Sequence, residues 1–206
     1  MFIQTLRWIA LVISTLAILY NLIGNDWRKM GLASAIEFGI IFLFASLNLP
    51  ISLALVKLLE GWMAIAILET TMSTISVMDE AIFDNHFTQM GRKEFLSPRL
   101  FRLFLAILVG IAIVANSSLV RILFPSLNSL QTITGLYLLV FGILMISFRQ
   151  SIYSSAIGLL TFMGGFEVLF VGLESSVLLT GLLALVDLAI ASVCAYLLYV
   201  RSEALR

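Results

Sequence analysis

Long apolar runs alternate with short polar breaks along this chain, and the runs are the length of membrane-spanning helices rather than of strands. A helix needs about 20 residues to cross the hydrocarbon core of a bilayer. Seven runs approach that length: 2–23, 31–49, 51–71, 100–119, 132–148, 152–171 and 176–200. Asn48-Leu49-Pro50 predicts a tight turn between the second and third spans, because proline cannot continue a helix interior. Residues 73–98 form the only long polar segment, with Asp79, Glu80, Asp84, Arg92, Lys93 and Glu94. Within it, 75–83 reads as a short amphipathic helix lying at the interface. Residues 121–131 hold Phe124-Pro125-Ser126 and read as a short loop or a broken helix entry.

Composition fixes the solvent as lipid. The chain is 61% hydrophobic and only 12% charged, with mean hydropathy +1.11, whereas soluble domains carry about 25% charged residues. A chain of 206 residues holds about six to eight such spans. The first run follows a weakly basic start at Arg7, but no small-residue cleavage site follows, so it reads as a retained helix. The formal net charge is zero, which gives no pull towards nucleic acid. The expected fold is therefore an all-α integral membrane protein of about seven transmembrane helices.

Basic residues predict the orientation. With seven spans, one side collects Arg28, Lys29, Arg92, Lys93, Arg99, Arg102, Arg149, Arg201 and Arg206; the other has only Arg7 and Arg121. Positive residues favour the cytoplasm, so the N-terminus is expected outside and the C-terminus inside. A faint internal repeat accompanies this pattern. Trp27-Arg28-Lys29 followed by Ala33-Ser34-Ala35-Ile36 resembles Phe148-Arg149-Gln150 followed by Ser154-Ser155-Ala156-Ile157. With a gap of about six residues, Leu59-Glu60-Gly61 falls near Val186-Asp187-Leu188, a parallel repeat. The expected organisation is a three-helix module over 1–72, an interfacial loop and linking helix over 73–131, and a second three-helix module over 132–206.

Six charged residues sit inside the apolar runs: Glu37, Lys57, Glu60, Glu69, Glu167 and Asp187. A charge in hydrocarbon costs several kcal/mol or more unless it is paired or hydrated. Lys57 and Glu60 are three residues apart, hence on one helical face and within pairing reach. Asp187 lies near the middle of the last span, where a short side chain cannot snorkel to water; it needs a partner, a wet cavity or another subunit. Glu37 and Glu167 lie nearer their span ends. Glu69 and Glu174 lie nearest, and are expected to be solvated. Gly158, Gly164 and Gly165, with Ala184, Ala191 and Ala195, predict close helix contacts.

Motifs for chemistry are missing from the sequence. His86 has no cysteine or second histidine near it, and Cys194 is the only cysteine. There is no phosphate-binding glycine loop, nucleophile elbow, HExxH, CxxC or haem-ligand spacing. No cofactor or metal is expected on this chain, and no catalysis by it alone.

At the charged positions the chain resembles the hydrogenase-4 component E family, integral membrane subunits of complex-I-related group 4 hydrogenases. Val56-Lys57-Leu58-Leu59 falls where that family has a lysine in its third helix. Ser147-Phe148-Arg149-Gln150, followed by Gly158 and Gly165, is similar to the family's Ser-Gln-Arg-Asn segment with its later glycines. Leu185-Val186-Asp187-Leu188-Ala189-Ile190 resembles the stretch around the family's last-helix aspartate. The C-terminal three helices of such proteins are similar to the K-type subunit of respiratory complex I, which has an outward N-terminus. One departure stands: the family's helix-six glutamate falls near Met163, and Glu167 lies one turn beyond it.

The resemblance implies a non-catalytic subunit of a complex-I-like assembly in a bacterial inner membrane. It would pack against antiporter-like and hydrogenase-type subunits, with the redox cofactors on those partners. Glu37, Lys57, Glu60, Glu167 and Asp187 would then belong to a hydrated proton path. A stand-alone proton- or ion-coupled small-solute transporter is the alternative that repeats and buried charges also suit. A purely structural spacer is a third reading that the sequence does not separate from proton transfer.

Overall fold

A computed structural model describes residues 2–24, 26–78, 98–123, 128–149, 151–173 and 176–204. Among these residues the chain is helical, with seven helices: α1 Phe2–Ile23, α2 Trp27–Ser46, α3 Ile51–Met78, α4 Pro98–Leu123, α5 Ser129–Phe148, α6 Ile152–Val171 and α7 Val177–Ala204. Six are long and apolar enough to cross a bilayer, and α4 contributes the shorter apolar stretch Leu100–Asn116. Helices are the expected answer in lipid, because every backbone donor and acceptor must be satisfied within the segment. The protein is an all-α integral membrane protein.

Local chemistry sets where several helices begin. Asn128 accepts from the Leu130 amide at 3.2 Å and caps α5; Ser151 accepts from the Ser154 amide at 3.1 Å and caps α6. Pro98 occupies the first position of α4, where its missing N–H has no helical partner to lose. Several boundaries differ from the sequence reading, two of them at marked polar residues. α2 starts at Trp27, four residues before the predicted 31, and α3 runs to Met78, seven residues past the predicted 71. In both places polar residues mark the membrane surface while the helix continues through them. Residues 75–78 of the predicted interfacial helix are thus the end of α3, and 79–83 lie outside the described residues, as does Glu174.

The helices pack as neighbours α1–α2, α2–α3, α5–α6 and α6–α7, and also in the cross-pairs α1–α5, α2–α6 and α3–α7. Each helix of the first three therefore faces the matching helix of the last three. Specific contacts give directions. α2 and α3 are antiparallel, with Gly31 against Glu69 and Phe38 against Gly61. α2 and α6 are parallel, with Glu37 bonded to Thr161 and Ile41 against Gly164. α5 and α6 form the most extensive contact. A Cβ on Gly142 would come within 2.5 Å of the Phe162 amide nitrogen, and one on Gly165 within 2.4 Å of the Leu139 amide nitrogen. The predicted close approach of Gly158, Gly164 and Gly165 is present, since each abuts a neighbouring helix. Ala191 and Ala195 are buried in α7, and Ala184 is half-buried.

Polar anchors fix the ends. Arg149, just after α5, donates to the Asn21 carbonyl at 3.0 Å and to the Gly24 carbonyl. It meets the carbonyls that the last turn of α1 leaves without helical donors. Gln131 donates to the Val168 carbonyl at 2.7 Å and accepts from Asn48 at 3.2 Å, joining α5, α6 and the α2–α3 turn. The apolar core draws mostly on α1, α2, α3, α5 and α6, including Ile18, Leu22, Phe44, Leu68, Leu138 and Leu160, and takes Ala106 and Ile113 from α4 and Ala191 and Ala195 from α7. α4 and α7 also expose large apolar side chains such as Phe104, Ile111, Leu178 and Leu185, as a surface facing lipid or a partner requires.

Candidate functional site: a buried charge cluster

Three helices bring four of the sequence-flagged residues to one place. Lys57 is 1% exposed, Glu60 4%, Glu167 1% and Asp187 0%. One turn of α3 sets Lys57 and Glu60 side by side, with Lys57 Nζ 3.0 Å from Glu60 Oε2 and 3.3 Å from Glu60 Oε1. From α6, Glu167 Oε1 contacts the same ammonium. From α7, Asp187 completes the group: carboxyl oxygens of Glu60, Glu167 and Asp187 all lie within 4.8 Å of one another. The pairing of Lys57 with Glu60 expected from their spacing is present. Glu167, one turn beyond Met163, reaches the lysine directly, whereas Met163 is half-buried.

The cluster is unbalanced. Among the described residues it is the one group of three or more metal-ligating side chains gathered together, yet its nearest cation is the Lys57 ammonium. Three carboxylates against one ammonium leave two excess negative charges if all ionise. Several kcal/mol per unpaired ion makes that state inaccessible in a lipid-surrounded interior. Neutral donors do not relieve it: among the described residues no amide or hydroxyl donates to either Asp187 oxygen or to Glu167 Oε2, and the polar neighbour of Asp187 is the Glu60 carboxyl. The group must take up protons, or another cation, to reach neutrality. A change of charge on any member changes what the others need for neutrality.

Glu37 lies apart from the other four. On α2 it is buried at 2% exposure. Its Oε1 accepts from Asn21 Nδ2 at 3.0 Å, and its Oε2 accepts from Thr161 Oγ1 at 2.9 Å. Asn21 also donates to Ser34 Oγ at 3.1 Å, and Ser34 donates to the Met30 carbonyl at 3.0 Å. Sequence reasoning did not single out Asn21, Ser34 or Thr161. An asparagine within an apolar span was the available signal for the first; the other two look like ordinary helix residues until α1, α2 and α6 meet.

Glu69 is not the freely solvated residue its place near a predicted helix end suggested. Because α3 continues past 71, Glu69 lies inside the helix, half-buried. It accepts from the Tyr153 hydroxyl and packs over Gly31, where a Cβ would come within 1.8 Å of Glu69 Oε1.

No family model, curated protein or solved structure matches the chain.

Proposed function

We propose that this chain is a non-catalytic membrane subunit of a complex-I-like or group 4 hydrogenase-type assembly, and that its buried charge cluster takes part in proton translocation. The observation that carries the reading is the joining of Lys57, Glu60, Glu167 and Asp187 across three helices with two carboxylates in excess. Intramembrane ionisable groups of this kind mark ion and proton paths. The resemblance at Lys57 and Asp187 supplies the type of assembly, and the exposed apolar faces of α4 and α7 suit neighbouring membrane subunits. Redox chemistry would belong to those partners. The distribution of basic residues supports a cytoplasmic C-terminus in a bacterial inner membrane.

Purification of the tagged chain in mild detergent tests the assembly: antiporter-like and hydrogenase-type subunits should copurify. Asp187→Asn then tests the cluster, since it keeps the shape and removes the titratable charge. The variant complex should assemble normally while redox-driven proton movement falls. Normal assembly with undiminished proton movement makes Asp187 structural, and loss of assembly favours a spacer. A chain that purifies without partners and drives solute uptake on its own supports the transporter instead.

A further inference from the structure

The Glu37 site and the Lys57 cluster occupy successive levels of the same bundle, and an apolar layer stands between them. Three residues of α6, spaced three apart, give the order: Thr161 bonds Glu37, Gly164 faces Ile41, and Glu167 contacts Lys57. On α2, Ile41 lies one turn beyond Glu37 in the same direction. Ile41 is 2% exposed, and its Cδ1 would be 2.4 Å from a Cβ on Gly164. On α3, Gly61 follows Glu60 and receives the Phe38 ring, whose Cδ1 would be 2.0 Å from a Cβ there. Phe38 is also 2% exposed. Both side chains are seated in places that exist only because α3 and α6 carry glycine there.

We infer that Ile41 and Phe38 form an apolar gate that controls water and proton passage between Glu37 and the Lys57 cluster. The argument is one of solvation. A proton crosses between two buried carboxyl sites along hydrogen-bonded water or side chains. The Glu37 set ends at Asn21, Ser34 and Thr161, and the cluster consists of Lys57, Glu60, Glu167 and Asp187. The side chains of Ile41 and Phe38 offer no donor or acceptor to continue the connection, and apolar constrictions block conduction by excluding water. Ile41 and Phe38 meet these glycines with side-chain atoms, which can turn, whereas α5 and α6 meet at Gly142 and Gly165 through backbone atoms, which cannot. This rests on the reading of the cluster as a proton-handling site, and adds where passage through it is controlled.

The test uses the full chain in liposomes, with an enclosed pH-sensitive dye and a potassium diffusion potential driving passive proton entry. Ile41→Val and Ile41→Thr have nearly the same shape and differ in one methyl against one hydroxyl. The Thr variant should leak roughly tenfold faster than the Val variant, the effect of about 1.4 kcal/mol off the barrier. Adding Asp187→Asn to Ile41→Thr should return the leak to the unsubstituted level. Phe38→Tyr makes the same test from the second residue, and decides the matter if the Thr variant does not fold. Equal leak in the Val and Thr variants, with Phe38→Tyr unchanged, overturns the gate; so does a Thr leak that survives Asp187→Asn. Those results leave the assembly and its redox-driven, Asp187-dependent proton movement standing, since that is measured separately in the purified complex.

Discussion

Glu37 and Asp187 are both carboxyl groups sealed inside the bundle, at 2% and 0% exposure, and their surroundings differ in kind. Glu37 is met by neutral donors, with an amide on one oxygen and a hydroxyl on the other. Asp187 faces two other carboxyl groups and a lysine already shared by them, and no neutral donor among the described residues meets its oxygens. The first site is met by fixed neutral dipoles. The second is held by a balance of charges, so changing one member changes what all the others need. Both sites are buried; the second differs in holding several ionisable neighbours whose charges depend on one another.

The largest expected effect comes from removing Lys57, the one cation that the described residues bring to the cluster. Lys57→Met leaves Glu60 and Glu167 without their partner, and breaking a buried pair in this way costs about 3–5 kcal/mol. Thermal unfolding in detergent should show the loss. Adding Glu60→Gln to Lys57→Met should recover part of it, because the double variant has one fewer unpaired carboxyl. Strict additivity of the two changes would show that the pair is not energetically joined, and the contrast with Glu37 would lose its basis.

That pair was the most legible part of the site, because its spacing is local to one helix. Asp187 was legible for a different reason: a short charged side chain in mid-span must meet something polar. What it meets could not be read, since Glu167 and Asp187 come to Lys57 through the packing of α6 and α7 on α3. The seven spans were legible from apolar length, but their ends were not. Arg28 and Lys29 read as a break, yet α2 runs through them, because polar residues are welcome where a helix leaves the bilayer. The same misjudgement placed Glu69 at a helix end. Glu37 was flagged as one member of a common path; the fold gives it neutral partners from α1 and α6, one level away from the cluster. Asn21 and Thr161 carry no charge and so raise no alarm in an apolar run.

A middle-sized effect is expected at the Glu37 site. Thr161→Val removes the hydroxyl from Oε2 and leaves a buried acceptor unsatisfied, at a cost of about 1–3 kcal/mol. Thr161→Ser keeps the donor and should lose less. Glu37→Gln should be tolerated better than Lys57→Met, since the glutamine amide still accepts from Asn21 and can donate to the Thr161 hydroxyl, which then serves as acceptor. If Glu37→Gln is as damaging as Lys57→Met, Glu37 is charged and paired with a group outside its present partners, and the two sites are more alike than their geometry indicates.

The smallest effect is expected at Glu69, which has features of both sites. Like Glu37 it accepts from a neutral hydroxyl, that of Tyr153; unlike either buried carboxyl it remains half-exposed. The Tyr153 hydroxyl also lies 3.0 Å from the Trp27 carbonyl, so one proton is shared between two acceptors. Tyr153→Phe removes that donor without opening a cavity. Water can take its place on a half-exposed carboxylate, so the loss should be about 0.5–1.5 kcal/mol, the net worth of an ordinary hydrogen bond. Thermal unfolding of Tyr153→Phe, Glu69→Gln and the double variant measures the coupling directly. A coupling near zero would mean that water already satisfies Glu69. A loss as large as that of Lys57→Met would mean that Glu69 is sealed from water, and that exposure does not separate it from the buried pair.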